Sequence, residues 1–470
     1  MTTVFGTDGI RGKVGVYPLT EDMIYHIGRA AAMFAIEKNA HKRKRQRISV
    51  AKDTRASADM FETQLVKGIL SCGVDVVKFG VMTTPCAAFV AKKLNHDMAV
   101  IISASHNGVE DNGIKFFSSK GYKLTLEEEA RMDSLIKTLS LSKPEQDKNT
   151  LAPENTAGAA DYKQGEIKEE YGAISAYADL LKGIIADNDI SGYKIAVDCA
   201  FGAVSNIIPE IAQRLGLDMY CINNTPDGMN INDRSGSLHP EAVSRYVLDN
   251  GLDCGFALDG DGDRVILCDE KGQIIDGDFI LAIISKYLYQ KGLLNKNSIA
   301  TTHMSNLGLE IAVSQWGGRV IKTEVGDKYV LDKMSKAKLN LGGEQSGHIV
   351  LLDHSTTGDG LLAGLFTLKI MAQEKKPLSQ LASHMYKFPQ ILLNVDVAGK
   401  IPIDELSDTK KVIQKAEKKL GSKGRLYIRY SGTENKLRIM VEGQDSLEIK
   451  EVANDIAAAA KEELDAKVRR

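Results

Sequence analysis

The sequence predicts an α/β protein made of several units, three of them related. Three segments of the 470-residue chain repeat one order of parts: an apolar β-rich run, a short polar loop, a helix-period stretch, a glycine and a second β-rich run. They cover residues 48–79 (ISVAKDTR to CGVDVVKF), 193–222 (YKIAVDCA to LGLDMYCI) and 298–321 (SIATTHM to GGRVI). In each, glycine falls where the helix should stop, as a left-handed C-terminal cap requires. Strand–helix–strand order then favours a largely parallel sheet covered by helices. Length agrees, since domains of roughly 100–150 residues give three or four units.

In chain order, the helical pattern of residues 21–37 leads into a basic run, His41-Lys42-Arg43-Lys44-Arg45-Gln46-Arg47, and then the strand from Ile48. Cations after a helix C-terminus complement its dipole, so the run reads as a solvated connection rather than a nucleic-acid or targeting signal. Residues 142–166 are polar and read as a linker, with residues 167–184 (IKEEYGAISAYADLLKGI) as the helix that opens the second unit. A third unit is expected from Gly255. Near Pro377 the pattern turns strand-rich (ILLNVDV from Ile391), followed by a charged helix, two strands around Tyr430 and an amphipathic helix over residues 446–467. The expected units are therefore residues 1–155, 156–254, 255–374 and 375–470.

Composition excludes several classes. With 43% hydrophobic and 26% charged residues and 10 prolines, the chain reads as soluble and globular, neither disordered nor fibrous. A net charge of −2 gives no global field for nucleic acid. The N-terminus lacks a basic stretch followed by an apolar one, and no apolar run reaches the ~20 residues of a membrane span, so cytoplasmic residence without a membrane partner is expected. The six cysteines are scattered without a C-x-x-C pair, as reduced core thiols are, which argues against disulfide or zinc roles.

Chemistry concentrates in two motifs. Asp259-Gly260-Asp261-Gly262-Asp263-Arg264 sets three carboxylates at alternate positions, where they repel one another without a divalent cation. Its glycines let a tight loop bring them to one point. An EF-hand is the rival reading, because Glu270 falls at the twelfth position counted from Asp259. However, the sixth position needs Gly and holds Arg264, and the flanks 254–258 and 265–268 read as strands. A strand-end loop binding one Mg2+ per chain through oxygen ligands is favoured, with a position left for a phosphate oxygen.

The second motif, Ser103-Ala104-Ser105-His106-Asn107, follows the buried-type strand Val100-Ile101-Ile102, and its small residues let a ligand approach closely. Neighbours on an extended chain point to opposite sides, so Ser105 and His106 are not expected to form a general-base pair; taken alone, the loop reads as a serine at a turn. Asp111-Asn112-Gly113-Ile114-Lys115 adds a turn and then a cation on a strand. Lys115 would neutralise phosphate oxygens or, with its pKa lowered by neighbouring cations, exchange a proton. Serine loop and carboxylates together point to metal-assisted phosphoryl transfer through a phosphoserine.

Three further stretches read as cradles. Phe5-Gly6-Thr7-Asp8-Gly9-Ile10-Arg11-Gly12 fits an anion or, equally, a flexible turn. Residues 429–438 (RYSGTENKLR) set hydroxyls and a glycine between two arginines, matching a phosphate at several points. Gly342-Gly343-Glu344-Gln345-Ser346-Gly347-His348 offers an anionic acceptor and a hydroxyl, suited to two sugar hydroxyls.

These five motifs, in this order between Phe5 and Gly443, resemble the α-D-phosphohexomutase superfamily over essentially the whole chain. FGTDGIRG, ISASHN with DNGIKFF, NIN followed by HPE, DGDGDR, VGDKYV, LGGEQSGH with TTGDG, and RYSGTEN with RIMVEG look most like its bacterial phosphoglucosamine mutases. The resemblance implies three related α/β domains of mixed sheets covered by helices, and a C-terminal TATA-binding-protein-like α+β domain, heart-shaped around a central cleft. It implies that Ser105 is phosphorylated in the active form and that Asp259, Asp261 and Asp263 bind Mg2+ together with the seryl phosphate. By the same resemblance Arg264 would lie beside that metal, Glu344 and Ser346 would read sugar hydroxyls, and Arg429, Ser431, Gly432, Thr433 and Arg438 would hold the non-reacting phosphate. Arg11, Lys115 and His348, with His106 beside the serine, match cleft residues for phosphate contact or proton transfer, the acid and the base among them being unassigned.

The activity so implied interconverts D-glucosamine 6-phosphate and D-glucosamine 1-phosphate through a bisphosphorylated sugar, feeding amino-sugar nucleotide and cell-wall precursor synthesis. The alternatives are a glucose or mannose phosphate mutase, a phosphatase, and a non-catalytic phosphosugar sensor. A homodimer is the assembly implied. The chain departs from the family at Gly108 and Asn435, where proline is usual, which would loosen both loops. It departs again at Glu324 beside VGD, where relatives carry a basic or small residue.

Overall fold

Each repeated segment folds as strand, helix and parallel strand. The computed structural model describes residues 3–6, 8–39, 45–141, 164–185, 190–431 and 435–468. The first sheet joins β1 (Ile10–Lys13), β2 (Arg47–Lys52), β3 (Asp75–Val81), β4 (Met98–Ile102), β5 (Asp111–Ser118) and β6 (Ile167–Glu169) in the order β1-β5-β4-β2-β3-β6. The second joins β7 (Lys194–Asp198), β8 (Asp218–Ile222), β9 (Cys254–Leu258), β10 (Val265–Asp269) and β11 (Ile274–Ile275) in the order β11-β10-β9-β7-β8. The third joins β12 (Ser298–Thr302), β13 (Arg319–Thr323), β14 (Leu341–Gly343) and β15 (Ile349–Leu351) in the order β13-β12-β14-β15.

Helices α1 (Glu21–Lys38), α2 (Ala58–Ser71), α3 (Thr84–Lys93) and α4 (Leu126–Leu141) accompany the first sheet. Then come α5 (Ala173–Ile185), α6 (Val204–Leu215) and α7 (Glu241–Asn250), followed by α8 (Gly277–Gln290), α9 (Leu307–Gln315), α10 (Asp327–Ala337), α11 (Gly360–Glu374) and α12 (Leu378–Ala382). The three helix-stopping glycines, Gly73, Gly216 and Gly317, have φ of 74°, 66° and 85°, the left-handed geometry that glycine adopts without steric cost.

The expected largely parallel sheets are mixed, parallel out to one edge and antiparallel at the other. In the first sheet β2 pairs in parallel with β3 and β4, whereas β5 runs antiparallel to β4 and β1. The second sheet turns antiparallel at the hairpin β9–β10 and ends in β11, and the third ends in the hairpin β14–β15. These hairpins matter for function, because their connecting loops carry the acidic triplet and the GGEQSGH motif.

Several expected boundaries move. The helix expected from Ile167 starts at Ala173, and Ile167–Glu169 instead forms β6, an exposed edge strand parallel to β3. Asp75 fixes that edge by accepting the Glu166 N–H at 2.9 Å and Arg45 at 3.1 Å. The division expected at residue 255 falls inside β9, and pairing with β7 keeps β9, β10 and the acidic loop in the second sheet. The division expected at residue 375 falls too early: Leu378, Leu381, Ala382 and Met385 bury themselves in the core of the preceding units. Most of the expected linker and residues 41–44 of the basic run lie outside the described residues.

One apolar core runs continuously from the first sheet through α3, α5, α6, α8 and α11 into the second and third sheets. The C-terminal unit has its own core. There β16 (Gln390–Asp396), β17 (Gly424–Tyr430) and β18 (Lys436–Gly443) form an antiparallel sheet covered by α13 (Ser407–Leu420) and α14 (Ser446–Val468), the order read from sequence. Buried Glu442 joins this unit to the third: it takes Asn306 Nδ2 at 3.1 Å, the Leu307 N–H at 3.3 Å and an ion pair from Arg425. Tyr427 adds a ring stack on His303 and a 3.1 Å hydrogen bond to Glu324.

Candidate active site

The loop after β4 and the loop between β9 and β10 meet. Strand β4 is wholly buried and delivers Ser105 at its end, 0% exposed, with its Oγ donating to Asp259 Oδ2 at 2.5 Å. Asp259, Asp261 and Asp263 are all buried, and their ligand atoms lie within 4.8 Å of one another, the arrangement of a metal site. Burial first, then repulsion from Asp263 and Asp261, pushes Asp259 up to about 8. Asp261 Oδ1 is buried without a hydrogen-bond partner among the described residues. An orphaned carboxylate oxygen in an all-oxygen donor set fits a hard divalent cation.

Gly262, at φ 69°, makes the loop tight enough, since a Cβ there would come within 2.6 Å of Thr83 Cγ2. Thr84 at the start of α3 holds the far side, its N–H on the Asp261 carbonyl at 2.9 Å and its Oγ1 on Asp261 Oδ2 at 2.5 Å. The Arg264 N–H donates to Asp259 Oδ1 at 3.1 Å, and its guanidinium stands 3.8 Å from Asp263.

Ser105 and His106 correct the expectation that they diverge. Ser105 has φ 55°, not an extended value, and its Oγ lies 3.4 Å from His106 Nδ1. Burial, then Arg264 and Arg11, lowers His106 to about 4, so the imidazole is neutral at physiological pH. For Lys115 the surroundings favour the first of its two expected roles, a cation facing phosphate oxygens. Its ammonium, 1% exposed, sits 2.7 Å from Asp261, 3.0 Å from Asp263 and 3.2 Å from Asp8. Burial opposes its charge, but those carboxylates outweigh burial and hold the pKa well above the usual lysine value. Lys115 is therefore a fixed cation.

Arg11 in β1 reaches the Ala104 carbonyl at 3.2 Å and pairs with Asp8. The β14–β15 loop brings His348 between Asp263, 3.6 Å from Nδ1, and Asp327, 3.5 Å from Nε2. Burial disfavours its charge, and the two carboxylates overcome this and raise its pKa. In the same loop Glu344 accepts the Gly326 N–H at 3.2 Å and is raised by burial, while Ser346 is exposed. The serine, metal and GEQSGH loops thus form one site.

The arginine cluster stands on a different sheet. Arg429 and Arg438 are register partners across β17 and β18, and Arg438 Nη2 lies 3.5 Å from Ser431 Oγ; Gly432 and Thr433 lie outside the described residues. The looseness expected at Gly108 is offset from outside, because Arg55 takes its carbonyl.

Sequence reasoning missed several participants. Lys123 bridges Asp8, at 2.5 Å and 115 residues away, and Asp327, 204 residues away, tying the first motif to VGD. Asp8 is held well below the usual carboxylate range because Lys115, Lys123 and Arg11 together outweigh its burial. Asp8 and Asp327 sat inside quoted motifs without a role; Lys123 and Thr84 carried no local signal.

A nucleophilic hydroxyl against a buried carboxylate triplet, on this succession of sheets, defines the phosphohexomutase class. Family models described as phosphoglucomutase/phosphomannomutase alpha/beta/alpha domains I, II and III match residues 2–143, 175–272 and 276–388, and the model of its C-terminal domain matches residues 392–459. The chain is 46% identical over 469 residues to the phosphoglucosamine mutase of Geobacter sp. (strain M21), covering 100% of both. It is 44% identical to that of Anaeromyxobacter dehalogenans, covering 97% of this chain and 98% of the relative. A phosphoglucomutase/phosphomannomutase family protein of Burkholderia thailandensis shares the fold at TM-score 0.76 and 22% identity, over 98% of this chain and 97% of that one. Aspergillus fumigatus N-acetylphosphoglucosamine mutase, solved with GlcNAc-6P and magnesium, does so at TM-score 0.67 and 17% identity, over 98% and 96%. The chain belongs to the phosphoglucosamine mutase family of the α-D-phosphohexomutases.

Proposed function

We propose that this chain interconverts D-glucosamine 6-phosphate and D-glucosamine 1-phosphate through a phosphoserine at position 105. The observation that carries the reading is the 2.5 Å contact of Ser105 Oγ with Asp259 at the rim of the buried triplet. The substrate follows from relatives named phosphoglucosamine mutase at 44–46% identity.

Asp259, Asp261 and Asp263, with an oxygen of the seryl phosphate, would hold one Mg2+. Bound there, that ion offsets the negative charge of in-line phosphoryl transfer. A sugar hydroxyl oxygen attacks phosphorus and gives up its proton, the bond from phosphorus to the seryl oxygen breaks and that oxygen takes up a proton, and a sugar bisphosphate forms. After the sugar turns, the serine takes back the other phosphate. Lys115, Arg11 and Arg264 supply fixed positive charge around the transferring group. Glu344 and Ser346 would take sugar hydroxyls, with Arg429, Ser431, Gly432, Thr433 and Arg438 on the phosphate at rest. Glu324, engaged by Tyr427, is fitted to link the units rather than to bind sugar.

Ser105→Ala tests the reading: no turnover is expected with the circular dichroism spectrum intact, and retained turnover would refute it. Rates on the 6-phosphates of glucosamine, glucose and mannose decide substrate preference. Net release of inorganic phosphate would indicate a phosphatase, and phosphosugar binding without phosphate exchange a sensor.

A further inference from the structure

Two donors from different units converge on the same pair of carbonyls. The Ser105 carbonyl accepts from Arg55 Nη2 at 3.1 Å and Asn232 Nδ2 at 2.8 Å, and the Asn107 carbonyl from the same two nitrogens at 2.8 and 2.9 Å. Both lone pairs of each oxygen are thus engaged, and only an amide nitrogen, not its oxygen, can face them. Arg55, 2% exposed, follows β2 and is backed by Asp53 at 3.0 Å. Its Nη1 reaches the Asp111 carbonyl at 3.0 Å.

Asn232 belongs to the second unit, where its backbone N–H donates to the Ala200 carbonyl at 2.9 Å. Its side chain also packs against the metal loop: a Cβ on Gly260 would stand 2.9 Å from Asn232 Nδ2 and 2.7 Å from the Ser105 carbonyl. The direction of Ser105 Oγ is set by the two peptide planes that flank it. The preceding plane is held by the Ser105 N–H on Ser103 Oγ at 2.9 Å. The following plane is held by the carbonyl shared between Arg55 and Asn232.

We infer that Asn232 is a positioning residue for phosphoryl transfer, registering the serine loop of the first unit against the metal loop of the second, with Arg55 as its fixed counterpart. The inference rests on Ser105 being the phosphoryl carrier. Asn232 has φ 57°, a geometry Gly tolerates, so Asn232→Gly removes the donor without strain or new charge. Asn232→Asp keeps the shape and replaces the donor by an acceptor facing two carbonyls.

The test is steady-state kinetics of the full chain with Mg2+ and glucosamine 6-phosphate, beside single-turnover phosphorylation of Ser105 by a hexose 1,6-bisphosphate followed by intact mass. A misplacement of ~1 Å costs on the order of 100-fold in rate, so kcat and the single-turnover rate should fall about 10- to 100-fold, more for Asn232→Asp. KM should stay within about threefold, as for a group acting only on the transition state. Parent-like kcat in both variants, or a raised KM with unchanged kcat, would overturn the inference. Ser105→Ala is run in parallel: if it retains turnover, the phosphoserine reading fails, whereas an inactive Ser105→Ala with parent-like Asn232 variants removes the positioning role alone.

Discussion

Replacing Tyr177 by Phe deletes one oxygen, at a point where three units press together. Tyr177 on α5 is 0% exposed, and its hydroxyl donates to both oxygens of Asp359, at 2.7 and 2.8 Å. Asp359, 1% exposed, caps α11 by accepting the Leu362 N–H at 3.0 Å. The next residue, Gly360, donates to the Gly262 carbonyl of the metal loop at 3.0 Å, so the pair supports the site from behind. Without the hydroxyl, the ionised carboxylate keeps only the cap. A hydrogen bond to a charged group contributes roughly 1.5–3 kcal/mol, so a loss of about 2 kcal/mol is expected at pH 7.5. Unfolding entropy of about 2.1 cal/mol/K per residue, over a unit of roughly 380 residues, turns this into a drop of 2–3 °C. Differential scanning calorimetry of the full chain should show that drop in the transition of the first three units, whose core is continuous, and none in the C-terminal unit, whose core is separate. In an Asp359→Asn background the same change should cost about 1 kcal/mol, the neutral value. A shift under about 0.5 °C at pH 7.5, or equal shifts in both backgrounds, would refute the reasoning.

Asp359 also titrates. Burial raises it from 3.8 to about 6, so its stabilising contribution is complete below pH 3.8 and is lost as pH rises through 6, worth about 3 kcal/mol in all. Asp359→Asn keeps a capping side chain and lacks that slope; its transition should gain on the parent between pH 4 and 7, and a constant difference would contradict this. Removal of divalent cations by a chelator should abolish turnover and Mg2+ restore it, with the apparent Mg2+ affinity of Asp261→Asn lowered at least tenfold, as titration of activity would show. Gly347→Ala should destabilise by about 2 kcal/mol or more, because the residue has φ 89° and a Cβ would overlap the Val265 carbonyl; an unshifted melting curve would count against it.

What was legible in the sequence was local. The three strand–helix–strand repeats could be read because the signals, β-rich runs and a capping glycine, lie within about 30 residues of one another. Ser105 and the aspartates could be read because each motif holds its own chemistry. Strand β6 was missed because it is exposed along its length and owes its existence to pairing with β3, some ninety residues earlier. The division at 255 failed because an apolar run that opens a unit looks like one that closes a sheet in an antiparallel hairpin. Lys123, in a polar stretch, gives no local sign that it is buried between Asp8 and Asp327. The Ser105–His106 pair was misjudged because alternation presumes extended backbone, and φ at Ser105 is positive.

That positive φ is one of several around the metal loop, and their grouping has a physical cause. Ser105, Ala200, Phe201, Asn223 and Asn232 all have φ between 50° and 57°. Left-handed backbone costs non-glycine residues on the order of 1 kcal/mol each, least for Asn. These five are chained by hydrogen bonds: Phe201 N–H to the Asn223 carbonyl at 2.7 Å, Asn232 N–H to Ala200 at 2.9 Å, and Asn232 Nδ2 to Ser105. Thr54 Oγ1, from the first unit, closes on the Phe201 carbonyl at 2.6 Å, and the Gly260 carbonyl of the metal loop accepts Ala203 N–H at 2.8 Å. Each bond returns about 1 kcal/mol, enough to offset the strain only when all are made together. The serine and metal loops therefore hold these conformations only where the first and second sheets meet, so that a hydroxyl and three carboxylates far apart in the chain acquire a common geometry through the packing of two units rather than through either loop alone.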